Sequence, residues 1–275
     1  MLRHALACTG LLALCGLLWL RPSLRTHAPL HREYSIDHGY VISLNPRLDL
    51  HTPLYLGFES TLVPAINSSV AVQQGVPLYV RHTMAHGRHD HLQISNGAML
   101  GCYLSHVRVW EMFLNTSQEV VAVFEEDAAL DESSSLILSE LWHDMRAHNW
   151  SIVMLEKGHF NVQGAWTHLG THLATCADVC TWFGTKAYVI NRQGAQHLLR
   201  YSRPVLVQVD ALISLVAEWD PDFHMYWTRT NVVGQRLMRS TVWDGCLKCY
   251  MPVAIWPYVV VGAAVAFFPV WRWKT

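Results

Sequence analysis

The sequence predicts an α/β fold with a mostly parallel central sheet, and two neighbouring patterns carry this prediction. Apolar residues recur at helical spacing over residues 103–114, so a helix is expected there after a glycine turn at Gly97. The uninterrupted apolar run 120–124 is typical of a strand buried on both faces, as in parallel sheets. A chain of 275 residues fits one such domain with appended segments.

Three consecutive acids, Glu125, Glu126 and Asp127, follow the predicted strand directly. Open α/β sheets bind ligands at the carboxyl ends of their strands, and carboxylates there are suited to a divalent cation that grips a diphosphate. Alternate positions can face one crevice, so Glu125 and Asp127 are the predicted cation ligands, while Glu126 points away or supports the turn. The alternative is a solvated acidic strand end before a helix that starts near Ser133.

The order of motifs along residues 38–245 resembles glycosyltransferase family 25, which includes lipooligosaccharide and collagen galactosyltransferases. The family's usual form is G-C-x-x-S-H, a helix, and a strand ending in L-E-D-D. The corresponding segments here are 41–44 (VISL), 64–67 (PAIN), 101–106 (GCYLSH), 120–127 (VVAVFEED), 150–155 (WSIVML), 184–199 (a strand, a Gly-Ala turn and a helix), 207–210 (VQVD), and 232–235 (VVGQ) with Ser240.

The resemblance implies a GT-A-like domain that binds a nucleotide sugar, with UDP-galactose as the donor and Mn²⁺ or another divalent cation held by Asp127 and Glu125. Family 25 enzymes invert the anomeric carbon, which requires one general base. Asp210 matches the family's P-V-D position and is the candidate base, although a helix N-cap is the alternative for it. Arg47 is another candidate for a donor contact. Gln235 is a candidate for contact with donor or acceptor, with a capping or core role as the alternative. His106 is expected to hydrogen-bond near the acidic turn and fix its geometry.

Three departures from the family pattern favour a second interpretation. Leu50 stands where an arginine that helps hold the nucleotide is expected, Asn67 replaces an acid, and the acidic turn reads E-E-D. The alternative function is therefore a catalytically degenerate, glycosyltransferase-like membrane glycoprotein that acts through protein interactions.

Two hydrophobic segments bracket the predicted domain. Residues 5–20 suit an uncleaved signal anchor or a signal peptide within 1–27. Residues 253–271 carry no charge and suit a transmembrane helix before a cytosolic tail at 272–275, with a buried C-terminal helix as the alternative. Residues 28–250 would then form the luminal domain in the endoplasmic reticulum or Golgi. Membrane, nucleotide-sugar donor and glycan or glycoprotein acceptor are the expected partners.

Cysteine and asparagine patterns agree with a luminal domain. In an oxidising lumen, disulfides within or between the pairs Cys176/Cys180 and Cys246/Cys249 are favoured over a structural zinc site. Cys102 is expected to be a buried free thiol. Three N-glycosylation sequons begin at Asn67, Asn115 and Asn149.

Overall composition argues against nucleic-acid binding. A separate histidine cluster has two possible interpretations. The net charge is -1, whereas a nucleic-acid-binding protein usually has a basic surface, so this class of function is not favoured. His82, His86, His89 and His91 lie around a polar, glycine-containing stretch that is interpreted as a solvated loop, with a metal site as the alternative.

Overall fold

The computed structural model describes residues 35–47, 56–73, 75–88, 90–156, 159–162, 166–176 and 180–235. All of them belong to one unit, Arg32–Thr275. The hydrophobic segments 5–20 and 253–271 lie outside the described residues, as do Leu50 and Ser240. Among the helices that are described, none combines the length and apolar character needed to cross a membrane.

The described residues alternate between short strands and helices, as an α/β fold requires. The strands are β1 His38–Ser43, β2 Ser60–Pro64, β3 Val120–Glu125, β4 Ala128–Ala129, β5 Ile152–Met154, β6 His159–Val162, β7 Trp166–His168, β8 Leu173–Cys176, β9 Cys180–Phe183, β10 Ala187–Asn191, β11 Met225–Thr228 and β12 Gly234–Gln235. The helices are α1 Ser68–Gln73, α2 Leu78–His86, α3 Gly97–Leu114, α4 Glu132–Arg146, α5 Arg192–Tyr201 and α6 Val209–Trp219.

The main sheet has eight strands in the order β2-β1-β3-β10-β5-β11-β8-β7. Three of its pairings are parallel, namely β1 with β2, β1 with β3, and β5 with β11. The other four are antiparallel because β10, β8 and β7 run against their neighbours. The α/β class is confirmed, but the predicted mostly parallel sheet is wrong: the sheet is mixed.

Strand β3 is buried on both faces, as its apolar run predicts. Val121 and Val123 belong to the core on one side of the sheet, and Ala122 and Phe124 to the core on the other. None of these four side chains is more than 1% exposed. The strand thus carries its terminal residue, Glu125, to the edge of a closely packed interior.

Helix α3 begins six residues earlier than predicted, and the expected turn at Gly97 is wrong. Asn96 caps the helix by accepting a hydrogen bond from the Met99 amide at 2.9 Å. Glycine is used at this end for close packing: a Cβ on Gly101 would lie 2.2 Å from the Ile66 carbonyl oxygen, and one on Gly97 would lie 2.8 Å from the Ser68 Cβ. The same holds for Gly194, which lies within α5 and not in a turn before it.

Candidate functional site

The acidic turn lies where strands β1 and β3 end side by side. These strands are parallel, with Ile42 opposite Glu125. Glu126 accepts hydrogen bonds from the Ser43 hydroxyl at 2.5 Å and from the Leu44 amide at 3.1 Å. Glu126 therefore ties the segment after β1 to the acidic turn, the supporting role predicted for it.

Glu125 is held by two other side chains, and its own side chain remains 28% exposed. Its Oε1 accepts a hydrogen bond from the Thr185 hydroxyl at 2.6 Å and lies 3.2 Å from His106 Nε2. Burial raises the pKa of Glu125, but the hydrogen bonds from His106 and Thr185 and the nearby charge of Lys186 outweigh it, so the net pKa is lowered. The expected contact between His106 and the acidic turn is present.

A buried hydrogen-bond chain fixes the orientation of His106. The Trp110 Nε1–H donates to the Tyr188 hydroxyl oxygen at 2.9 Å, and that hydroxyl lies 2.9 Å from His106 Nδ1. A carboxylate only accepts, so a neutral His106 carries its proton on Nε2 towards Glu125 and accepts from Tyr188 at Nδ1. All three of these aromatic and imidazole side chains are completely buried. The chain therefore determines how Glu125 is presented at the crevice.

Three consecutive residues before β10 each contact a different carboxylate. The Gly184 amide donates to Asp210 Oδ2 at 3.2 Å, and Thr185 donates to Glu125. Lys186 binds Glu156 with both its amide, at 3.1 Å, and its ammonium group, at 2.5 Å. This segment joins acids from β3, α6 and the end of β5, and sequence reasoning assigned it no such role.

Glu156, like the acids of the acidic turn, is an acid at the end of a buried strand. It comes two residues after β5. Its side chain is 9% exposed, and burial raises its pKa even though Lys186 opposes that shift. The sequence could have identified Glu156 as a site residue, because this acid directly follows the apolar run 150–155.

Asp210 lies in the first turn of α6 and is not its N-cap, because Gln208 occupies that position. Its Oδ1 accepts from the Ala211 amide at 2.8 Å. Burial raises the pKa of Asp210 to about 6, against the backbone hydrogen bonds that lower it, and the charge of Glu125 raises it further. A carboxyl with this pKa is a better proton acceptor near neutrality than an ordinary aspartate.

Asp127, Gln235 and Arg47 occupy the same end of the sheet. Strand β12 pairs with β4, which places the backbone of Gln235 opposite Ala128, next to Asp127. Arg47 is exposed in the segment after β1, where its amide donates to Asn45 Oδ1 at 3.0 Å. The fold thus places Glu125, Asp127 and the segments of Arg47 and Gln235 near the ends of β1 and β3, whereas Asp210 reaches this group from α6 through Gly184.

Cys102 lies beside Glu125, with one ligand atom of each residue within 4.8 Å of the other. Burial raises the pKa of its thiol well above the usual value, and the charges of Glu125, Asp210 and Asp127 raise it further. Three predicted site carboxylates therefore lie within electrostatic reach of one sulfur atom. Cys102 is a free thiol, as predicted, but it is half-buried and not fully buried as expected. Cys176 is disulfide-bonded, which agrees with the disulfide interpretation for it.

Two other sequence features have structural explanations. Asn67, the departure from the family's acid, accepts hydrogen bonds from the Val70 amide at 3.0 Å and the Ser69 hydroxyl at 2.7 Å, so it caps α1 as an aspartate would. His82 and His86 lie in α2, not in a loop, with rings stacked at 4.3 Å. Asp90 accepts from the Leu92 and Gln93 amides in the turn that follows.

The chain is similar in sequence to known proteins of one family. Residues 79–213 match the family described as Glycosyltransferase family 25 (LPS biosynthesis protein). The resemblance to glycosyltransferase family 25 is confirmed. The matched region contains α3, the acidic turn, segment 184–186 and Asp210, so most of the candidate site lies within it.

Individual relatives are distant and of two kinds. The chain is 26% identical to "Procollagen galactosyltransferase 1-B" of Xenopus laevis and 23% identical to "Glycosyltransferase 25 family member" of Aedes aegypti. It is 27% identical to "Probable inactive glycosyltransferase 25 family member 3" of Bos taurus. Each alignment covers 69% of this chain but only 32 or 33% of the relative. The family 25 relatives are thus aligned over about a third of their length.

Proposed function

We propose that this chain transfers a hexose from a nucleotide sugar to a hydroxyl of a glycan or glycoprotein, with inversion at the anomeric carbon. The observation that carries the proposal is that Glu125 and Asp127 lie where β3 ends, while the neighbouring residues Gly184 and Thr185 hydrogen-bond to Asp210 and Glu125 respectively. The match to glycosyltransferase family 25 supports the same reaction class.

The residues present suit a hard divalent cation such as Mn²⁺. Asp127 and Glu125 offer carboxylate oxygens from half-buried positions. His106 and Thr185 both reach Oε1 of Glu125, so Oε2 would be the oxygen that binds the cation. A bound cation would neutralise charge that develops on the departing diphosphate. Arg47 and Gln235 would contact the donor from the two flanking segments.

Asp210 would act as the general base. The acceptor hydroxyl oxygen attacks the anomeric carbon as the bond from that carbon to the diphosphate oxygen breaks, and the hydroxyl proton passes to the Asp210 carboxylate. Its two backbone hydrogen bonds, from Gly184 and Ala211, hold the carboxylate in place before the substrate arrives. The pKa of about 6 keeps it ionised near neutrality while still basic enough to take the proton.

Galactose from UDP-galactose is the proposed donor, by analogy with relatives named procollagen galactosyltransferases. We place the protein in the endoplasmic reticulum or Golgi membrane with its transferase domain in the lumen. The hydrophobic segments 5–20 and 253–271 and the disulfide at Cys176 support that location. A GT-A-like fold is part of the same proposal.

A degenerate, non-catalytic protein that acts through protein interactions is the second candidate. It is favoured by relatives named as inactive family members in cattle, mouse and human. In this case the network around Glu125 and Asp210 would stabilise the fold only.

Release of UDP from UDP-galactose distinguishes the two candidates. The purified full chain is incubated with Mn²⁺, UDP-galactose and a panel of glycan and glycoprotein acceptors. The proposal predicts acceptor-dependent UDP release that is lost in Asp210→Asn but retained in Asp222→Asn, which changes an exposed acid outside the site. Folded protein that releases no UDP with any acceptor would favour the degenerate protein.

A further inference from the structure

Cys102, His106 and Glu125 form a second potential metal site within the acidic cluster. Cys102 and His106 are four residues apart in α3, so they lie on one face of the helix. Glu125 approaches that face from the end of β3. One ligand atom from each residue lies within 4.8 Å of the other two. Among the described residues, no other group of histidines, cysteines and acids meets that condition.

The donor atoms of this group differ in kind from those of the proposed Mn²⁺ site. A thiol sulfur and an imidazole nitrogen suit borderline or soft metals, whereas carboxylates alone suit Mn²⁺ and Mg²⁺. We propose that Cys102, His106 and Glu125 bind Zn²⁺, or a transition metal of similar softness, in a tetrahedral site. Three protein ligands leave the fourth position to a water molecule, as in open zinc sites.

The surrounding side chains already orient two of the three ligands. Metal-binding histidines usually use their second ring nitrogen in a fixed hydrogen bond, and Nδ1 of His106 has such a bond to the buried Tyr188 hydroxyl at 2.9 Å. Thr185 holds the second ligand, Glu125, by donating a 2.6 Å hydrogen bond to its Oε1. The Glu125 side chain is 28% exposed, so an ion can approach this ligand from solvent.

Metal binding at this site releases one proton and requires no redox partner. The thiol proton of Cys102 is lost as the sulfur bonds to the metal. The His106 proton moves from Nε2 to Nδ1, which frees Nε2 for the metal. Tyr188 then accepts from both Trp110 and His106, and a phenolic oxygen has lone pairs for both hydrogen bonds.

Zn²⁺ at this site would inhibit the transferase. Glu125 is shared between the two sites, so a tetrahedral metal held by Cys102 would withdraw it from the cation that grips the diphosphate. This consequence rests on the proposed function, whereas the binding of the metal does not.

Absorption spectroscopy with Co²⁺, a spectroscopic substitute for Zn²⁺, tests the binding. Co²⁺ is titrated into the purified full chain, and the thiolate-to-cobalt charge-transfer band is followed in the near ultraviolet. The proposal predicts a saturable band that Zn²⁺ abolishes by displacement. Cys102→Ser and Cys102→Ala should both lose the band, and circular dichroism of each variant verifies that it is folded. Cys249→Ser, which changes a cysteine outside the proposed site, should retain it.

The outcomes separate this inference from the proposed function. No band in the folded parent protein overturns the site. A band that survives in the Cys102 variants, or vanishes in Cys249→Ser, assigns the metal to other cysteines and overturns it as well. If the protein is an active transferase, the Zn²⁺ concentration that halves UDP release should rise about tenfold or more in Cys102→Ser. Equal sensitivity of the two proteins would overturn the inhibitory role.

Discussion

The Thr185 hydroxyl donates a 2.6 Å hydrogen bond to Oε1 of Glu125, linking the segment before β10 to the end of β3. The adjacent Gly184 amide bonds to Asp210 over 3.2 Å. Two acids proposed for different roles, cation binding and proton transfer, are thus positioned by neighbouring residues of one segment. A displacement of this segment would disturb both.

Thr185→Val should destabilise the protein at neutral pH, whereas Thr185→Ser should not. Valine has the shape of threonine but cannot donate, and losing a hydrogen bond to a charged group costs about 1–3 kcal/mol. The pKa of Glu125 is lowered in the folded state, so its stabilisation is present above the ordinary pKa of a glutamate and is lost as the pH falls through the lowered value. Denaturant unfolding of both variants at neutral and acidic pH measures this. An equal loss at both pH values would contradict it.

Tyr188→Phe should reduce the free energy of unfolding by about 1–3 kcal/mol, because it leaves the buried Trp110 N–H and His106 Nδ1 without their shared partner. Tyr40→Phe is the matched control. Its hydroxyl bonds at 3.2 Å to the part-buried Gln118, so a smaller loss is expected. Urea denaturation of the three proteins compares them. Equal losses of unfolding free energy in the two variants would indicate that the His106 network stabilises the protein no more than the single hydrogen bond of Tyr40.

Gly101→Ala should destabilise the protein, and Gly234→Ala should be tolerated. A Cβ at position 101 would lie 2.2 Å from the Ile66 carbonyl oxygen, so α1 and α3 must separate, at a cost of about 1–3 kcal/mol. A Cβ at position 234 would meet its nearest atom at 3.6 Å, which is ordinary contact. The melting temperatures of both variants test this. An unchanged melting temperature in Gly101→Ala would contradict the close approach.

The rate of transfer should increase with pH as Asp210 ionises. A general base works only when ionised, and the pKa of Asp210 is raised to about 6. The value of kcat/KM should rise about tenfold per pH unit below that value and level off above it. Glu125→Asp keeps the neighbouring charge and should keep the inflection, whereas Asp210→Asn should be inactive at every pH. A flat profile through this range would exclude Asp210 as the base.

The burial of strand β3 is the feature of the fold that the sequence predicted best. The apolar run 120–124 has no polar interruption because both faces of β3 are covered, and Glu125, Glu126 and Asp127 follow at the strand end as expected. The direction of the strands was not predictable in the same way. An apolar run reports burial but not orientation, so the antiparallel placement of β10 beside β3 went unforeseen.

Contacts between residues far apart in the chain explain the other features that the sequence did not predict. The sequence predicts a turn at Gly97, and a glycine does weaken a helix. The structure instead places Gly97 in α3, where a larger residue would collide with the side chain of Ser68, a residue distant in sequence. The pairing of Lys186 with Glu156 likewise depends on β5 and β10 lying side by side. The contact between His106 and Glu125 also joins residues 19 apart, and it was predictable only because His106 belongs to the family-like S-H motif.

The cation-dependent binding of UDP-galactose tests the central claim most directly. Calorimetric titration of UDP-galactose into the full chain, with and without Mn²⁺, should show binding that requires Mn²⁺ and disappears in Asp127→Asn. Asp131→Asn is the matched control, since it removes a nearby charge from the N-cap of α4, where asparagine caps equally well. Binding that persists without Mn²⁺ or in Asp127→Asn, or no binding by the folded protein, would contradict the account.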